Sequence, residues 1–293
     1  MRLKADLTLL AVAIIWGSAF IAQGVAAQHG IAYLYNAASF LLATIILLPL
    51  IPRTKKISRE QVFWTLLVGF ILFIGSTLQQ VGIYYTKVAN AGFITSLYVI
   101  FIPFILLLGF REKPNKLDLL AVFIAALGAF LLSTAGHIQF QPGDTLELVG
   151  AVFWALHMVI LGKFASRYEP LSFAAGQYLV SGLLSLLLGL FIEDKTILLV
   201  PAVIGAVLFR ALFSIAIGYT LQVWGQRHTP PTDAALILGL ESVFATIFGW
   251  LLLKQLLLPI QVLGCFIIFT AVMLSQIKNI NPGNPTSAPI EPL

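Results

Sequence analysis

The sequence predicts an all-α integral membrane protein, with ten transmembrane helices arranged as a five-plus-five inverted repeat around a central cavity. Three observations predict it. The chain is 59% hydrophobic and only 10% charged, with a mean hydropathy of +0.98, whereas a soluble domain carries about 25% charged residues. A soluble fold of 293 residues with this balance would expose a large apolar area to water, so lipid is the better solvent. The apolar residues fall into ten windows, each long enough for the roughly 20 residues that cross about 30 Å of hydrocarbon. Finally, residues 75–124 reappear without a gap at 218–267, and a repeat decides architecture before any local reading does.

In chain order the spans lie at 7–28, 31–52, 62–84, 89–110, 117–136, 146–166, 171–191, 200–224, 232–253 and 256–276. The first follows Arg2 and Lys4 as a signal sequence would. It is longer than the apolar core of about 7–15 residues that a signal peptide carries, and it has a counterpart later in the chain, so it reads as a mature helix. The connections carry turn chemistry: Pro52-Arg53, Lys113-Pro114-Asn115, Gln141-Pro142-Gly143-Asp144 and Pro230-Pro231. This gives a first repeat over 1–136, a connecting loop over 137–145, a second and inverted repeat over 146–276, and a tail over 277–293. From Asn279 the tail holds four prolines in fifteen residues and no apolar period, so it reads as disordered.

Orientation follows from the cations. One side collects thirteen: Arg2, Lys4, Arg53, Lys55, Lys56, Arg59, Arg111, Lys113, Lys116, Lys163, Arg167, Arg227 and Lys278. The other collects three, Lys87, Lys195 and Lys254. Both termini are therefore expected in the cytoplasm, with the protein in the cell (inner) membrane.

The repeat holds 14 identities in 50 positions, including the polar pairs Thr77/Thr220, Gln79/Gln222 and Thr86/Thr229. Shared apolar composition does not supply polar matches in register. Five spans per half is an odd number, so the second copy must run through the membrane in the opposite sense. The first spans correspond at an offset of 138, Trp16-Gly17-Ser18 against Trp154-Ala155-Leu156. Inverted repeats place a substrate site near the midplane between the halves, and near-equivalent halves can exchange conformations. A duplicated scaffold without transport is the competing reading.

Composition also excludes. The basic residues sit in short loops, with no basic helix face, so no nucleic-acid partner is expected. Cys265 is the only cysteine, which removes any disulfide within the chain and any cysteine metal set; no metal and no cofactor are expected. No phosphate loop, His-Glu-x-x-His or Gly-x-Ser-x-Gly occurs, and no loop could build a nucleotide-binding domain. The chain does not read as an enzyme. The energy source is then an ion gradient, exchange or the substrate's own gradient. The expected partners are a small-molecule substrate, the bilayer and, as a candidate coupling ion, the proton. Ten spans enclose a cavity within one chain, so a monomer is expected. An intramembrane enzyme acting on a lipid-like substrate and a passive pore are the alternatives.

Charges at mid-membrane cost about 2.5–3.5 kcal/mol each on insertion scales, so a retained one needs a reason. Three ionisable residues lie well inside the spans: His157, Arg210 and Glu241. At about 1.5 Å per residue all three fall near the midplane. Glu241 is the candidate functional acid, and an interhelical pair with Arg210 is the competing structural reading. Arg210, which shares a helix face with Ser214, is a candidate for a substrate carboxylate. His157 is a candidate for proton coupling, against a neutral helix-packing role. Gln79, Gln80 and Gln222 are buried amides that need partners, either neighbouring helices or the cargo. Trp16, Tyr84, Tyr98, Tyr219 and Trp224 offer aromatic walls, with Tyr84 and Trp224 placed for the interface. Tyr98 occupies the repeat position of Glu241, which makes the halves chemically unequal. Pro103 is expected to kink the fourth span.

Three stretches carry a family resemblance: Ile15-Trp16-Gly17-Ser18-Ala19-Phe20, Ala89-Asn90-Ala91-Gly92-Phe93-Ile94-Thr95-Ser96-Leu97-Tyr98, and Gln226 through Ile237 with Leu240-Glu241-Ser242 after it. Together they resemble the EamA-type transporters of the drug/metabolite transporter superfamily, over residues 5–276. The resemblance implies ten helices around a cavity and export of amino acids or other small metabolites. The chain departs from the family pattern at three places. Ser39 stands in the second span where many members carry Arg, Gln255 stands where an acid often ends the ninth span although Glu112 is kept in the first half, and Ser242 follows the Glu where Pro is usual. The missing Arg argues for neutral or cationic cargo over dicarboxylates.

Overall fold

The computed structural model describes residues 1–52, 57–86, 88–134, 141–253 and 256–277. The predicted tail from 278 on, Gln255, residues 137–140 of the predicted connecting loop and several of the orienting cations lie outside the described residues. The helical segments are α1 Arg2–Gln28, α2 Tyr33–Leu47, α3 Arg59–Tyr85, α4 in two pieces (Val88–Ser96 and Tyr98–Phe110), α5 Lys116–Thr134, α6 Pro142–Phe164, α7 Pro170–Ile192, α8 Pro201–Gln226, α9 in two pieces (Pro231–Leu238 and Glu241–Leu253) and α10 Pro259–Ile277. No strand occurs among the described residues. Nine helices among the described residues are long and apolar enough to cross a membrane. The 19-residue α5 takes the place of the predicted fifth span without being one of those nine. Apolar side chains such as Leu108 and Phe191, 82% and 83% exposed, face outward, as lipid allows and water does not.

Helix ends are satisfied locally. Ser58 accepts from the Gln61 amide at 3.0 Å; Gln141 and Asp144 form a capping box around Pro142; and Glu169 accepts from Leu171 and Ser172 ahead of Pro170. These are ordinary N-terminal signals. The α2 N-terminus lacks a cap of its own. Instead Glu193, just past α7, accepts from the Ala32, Tyr33 and Leu34 amides at 2.6, 3.0 and 2.7 Å. In a medium without water those orphan donors need such a partner.

The contacts establish the inversion. Arg2 at the start of α1 reaches Asp233 at the start of α9, and Asp233 accepts from Ser275 near the end of α10; this is the near end of the bundle. Thr86 after α3 donates to Asp144 at the start of α6, at the far end. Hence α1 starts at the near end and its repeat partner α6 at the far end. The first helix of each half also packs into the other half, α1 against α8 and α9, α6 against α3 and α4.

The inverted repeat reproduces small details. Asp6 and Asp144 correspond at the offset of 138, and Thr229 and Thr86 at 143. Thr229 donates to Asp6 at 2.9 Å, as Thr86 does to Asp144. One Thr–Asp contact thus ties α8 to α1 at the near end, and its counterpart ties α3 to α6 at the far end.

Both α4 and α9 are broken at equivalent places, Leu97 and Gly239-Leu240. The sequence predicts two continuous spans with a kink at Pro103. Pro103 in fact lies within the second piece of α4, and α9 breaks without a proline, so the interruption belongs to the repeat. A proline removes one backbone hydrogen bond to the preceding turn, which accounts for only one copy.

α5 and α10 pack against each other through Gly128 and Gly264. A Cβ on Gly264 would lie 2.6 Å from the Gly128 carbonyl oxygen and 2.6 Å from the Leu132 amide nitrogen, and backbone cannot yield as a side chain can. Gly264→Val is expected to wedge the two helices apart at a cost of about 1–3 kcal/mol, read as a lower thermal midpoint in detergent. An unchanged midpoint would contradict this packing.

Candidate functional site

A narrow central cavity of about 40 Å³, room for no more than a few waters, sits among α1, α3, α4, α6, α8 and α9. Each of these helices has its repeat partner in the set: α1 with α6, α3 with α8, α4 with α9. α5 and α10 contribute nothing to the lining. Of the residues predicted from the sequence, Trp16, Gln79, Tyr98, Arg210, Gln222 and Glu241 line the cavity. The two repeat-related Trp residues, Trp16 and Trp154, flank Tyr219 with ring centroids 4.7 and 6.1 Å away, so the apolar wall is itself a product of the duplication.

Arg210 enters from α8 where that helix is underwound. Residues Arg210–Tyr219 form a π-helical stretch, a widening that often marks functional sites. The Trp16 indole donates to the Ser214 carbonyl at 3.1 Å within this stretch, fixing α1 against it. The Arg210 guanidinium donates to Asn36 Oδ1 and lies 4.8 Å from the Tyr35 ring and 5.3 Å from the Phe40 ring. Asn36 is in turn held by a 3.1 Å bond from its amide to the Ser76 carbonyl. Stacking on aromatic faces supports a buried guanidinium without neutralising it.

Glu241 begins the second piece of α9. The break therefore presents a helix N-terminus to the carboxyl, whose partial positive charge favours an anion there. Tyr98 begins the second piece of α4. Its hydroxyl faces Glu241, too loosely for an ordinary hydrogen bond. The backbone behind Glu241 is set by α1: a Cβ on Gly17 would fall 2.8 Å from the Glu241 carbonyl oxygen.

The interhelical Arg210–Glu241 pair weighed from the sequence does not form. The ion pairs among the described residues are Arg2–Asp6, Arg2–Asp233, Lys163–Glu112 and Arg167–Glu60, all away from the cavity. Arg210 is held by an amide and two rings, so the cavity keeps a cation and an acid that do not satisfy each other.

Three predicted residues stand back from the lining. His157 bonds to Gln177 Oε1 of α7 at 2.8 Å and packs against the Trp154 and Tyr219 rings. Gln80 donates to the Gln23 carbonyl of α1 at 3.0 Å. Ser39 is buried on α2 with its hydroxyl unpartnered. Sequence reading passed over Asn36, Gln23, Thr95 and Glu147. Asn36 carried a usable signal, since a polar residue at 36 in an otherwise apolar window must find a buried partner. Glu147 is the second residue of the span predicted over 146–166, where an acid is unremarkable; the helix starts at Pro142, so Glu147 lies further inside and is fully buried.

Comparison with known proteins agrees with this architecture. The model of the EamA-like transporter family matches the chain twice, over residues 3–134 and 141–276. An uncharacterized transporter of Archaeoglobus fulgidus is 34% identical over 277 residues, covering 94% of this chain and 87% of its own length. The uncharacterized inner membrane transporter YedA of Escherichia coli is 26% identical over 295 residues, covering 96% of this chain and 94% of its own. One solved crystal structure superposes with a TM-score of 0.76 at 17% identity, over 97% of this chain and 100% of that one, a likeness of fold alone.

Proposed function

Because the chain belongs to the EamA-like transporter family, a multi-pass membrane transporter by its apolar helices, we propose that it carries zwitterionic small metabolites, above all neutral amino acids, out of the cell by alternating access. One observation carries this reading: the cavity holds Arg210 and Glu241 without an ion pair between them. A neutral amino acid brings the complement of both, a carboxylate for the guanidinium fork and an ammonium for the acid. Trp16, Trp154 and Tyr219 would receive an apolar side chain. Ser39, where many relatives carry Arg, fits a cargo without a second carboxylate.

The halves 1–136 and 146–276 exchange roles about the cavity, with the near end in the cytoplasm of a cell whose inner membrane holds the protein as a monomer. Energy comes from a proton gradient or from exchange. The two Thr–Asp contacts act as opposed latches. Thr229→Val is expected to loosen the near end and Thr86→Val the far end, so cysteine reporters at the two ends should change reactivity toward a membrane-impermeant maleimide in opposite directions. The same change at both ends in both variants would contradict the latches.

Counterflow in proteoliposomes over a panel of labelled amino acids and metabolites tests the function. Saturable counterflow with neutral amino acids ranked above dicarboxylates is expected. Non-saturating flux with single-channel currents would make the protein a pore, turnover of a lipid without a gradient would make it an enzyme, and a dicarboxylate as best cargo would overturn the substrate class.

A further inference from the structure

A second acid lies behind the cavity. Glu147 on α6 is 0% exposed. Its Oε2 accepts from the Thr95 hydroxyl at 2.9 Å, and its Oε1 has no hydrogen-bond partner. Thr95 is itself part of the cavity wall and sits two residues before the break in α4. The groups facing Glu147 are Thr95 from α4, Gly82 from α3 and, one turn earlier on its own helix, Asp144. No Lys, Arg or His among the described residues stands beside it.

The repeat shows that packing does not require an acid here. Glu147 corresponds to Leu9 at the offset of 138, and Gly82 to Gly225 at 143. Leu9 covers Gly225, where a Cβ would fall 2.8 Å from Leu Cδ2; Glu147 covers Gly82, where a Cβ would fall 2.5 Å from Oε1. The same niche is filled once by a leucine and once by a carboxyl. A buried carboxylate with a bare oxygen, no cation beside it among the described residues and an acidic neighbour is costly, and it escapes that cost by taking a proton.

We propose that Glu147 is a proton-binding site of the transport cycle, set one layer behind the cavity and joined to it through Thr95. This rests on the carrier reading above and assigns the coupling step to a residue other than the cargo-binding Glu241. The proton binds to Glu147 Oε1 and leaves from the same atom. Neutral Glu147 fits the closed far end, where α3, α4 and α6 meet. Loss of the proton leaves an anion that must be hydrated, and hydration requires those helices to part. Proton occupancy and far-end opening are thereby linked, and Thr95 passes the change to the wall beside Tyr98.

The test uses Glu147→Gln and Glu147→Leu, the second supplying the residue that the first half carries in this niche. Proteoliposomes are assayed with a tritiated mixture of neutral amino acids, once as counterflow at equal pH and once under a one-unit pH difference. Wild type should counterflow and should also accumulate label by up to about tenfold, the value of one pH unit. Both variants should keep counterflow and lose the pH-driven accumulation. Variants that still accumulate label, or a wild type that counterflows without responding to pH, would overturn the proton site and leave the carrier intact. A wild type without counterflow would sink both. If neither variant folds, dicyclohexylcarbodiimide, which attacks buried protonated carboxyls, decides on wild-type protein. Modification of Glu147 that fades as pH rises supports the site, and its absence overturns it.

Discussion

Glu241→Gln is expected to abolish counterflow of neutral amino acids while the protein still folds and inserts. Glutamine matches the carboxyl in size and keeps an oxygen to accept, so the break between Leu238 and Glu241 and the close approach of Gly17 survive. The charge that would meet an ammonium does not. A charge-assisted hydrogen bond contributes about 1.5–3 kcal/mol, and its loss also leaves the cargo's ammonium in the cavity without a carboxylate, which adds the cost of an unpaired ion. The measurement is counterflow beside a melting curve. Transport near the wild-type rate would remove Glu241 from cargo binding, and a collapsed melting curve would return it to a structural role.

Arg210 carries the second large effect. Arg210→Lys keeps the charge but gives up the planar fork and the stacking on Tyr35 and Phe40, which an ammonium reproduces poorly. Apparent affinity for a neutral amino acid is expected to fall about 10- to 100-fold, as the loss of one charge-assisted bond implies. Expression should hold, because Asn36 can accept from lysine as it does from the guanidinium. Arg210→Gln should lose transport altogether. If Arg210→Lys transported like wild type, the fork would have no part in recognition.

The architecture was legible because it rests on apolar length and on the repeat, and both are written in residue order. The 143-residue offset pairs Tyr98 with Glu241 and Gln79 with Gln222, and all four reach the cavity. What stayed hidden depends on how helices meet across the halves. Arg210 and Glu241 lie at similar depth in neighbouring spans, so an ion pair was a natural expectation. It fails because the π-helical stretch turns Arg210 toward α2, where Asn36 and two rings hold it. The paired breaks at Leu97 and Gly239-Leu240 were also missed, since the apolar runs continue through both. Glu147 was overlooked for a different reason. Its window began one residue before it, although the 138-residue offset set it against Leu9 and so marked it as an acid in an apolar place.

The central claim is that one cation and one acid, unpaired in a shared cavity, read the two charges of a zwitterion. Competition in the counterflow assay tests it most directly, with a neutral amino acid as label and two one-charge relatives as competitors: its methyl ester, which lacks the carboxylate, and its N-acetyl derivative, which lacks the ammonium. The account predicts that the intact amino acid competes and that neither derivative does. Equal competition by either derivative would show that one of the two charges goes unread, and would contradict the claim.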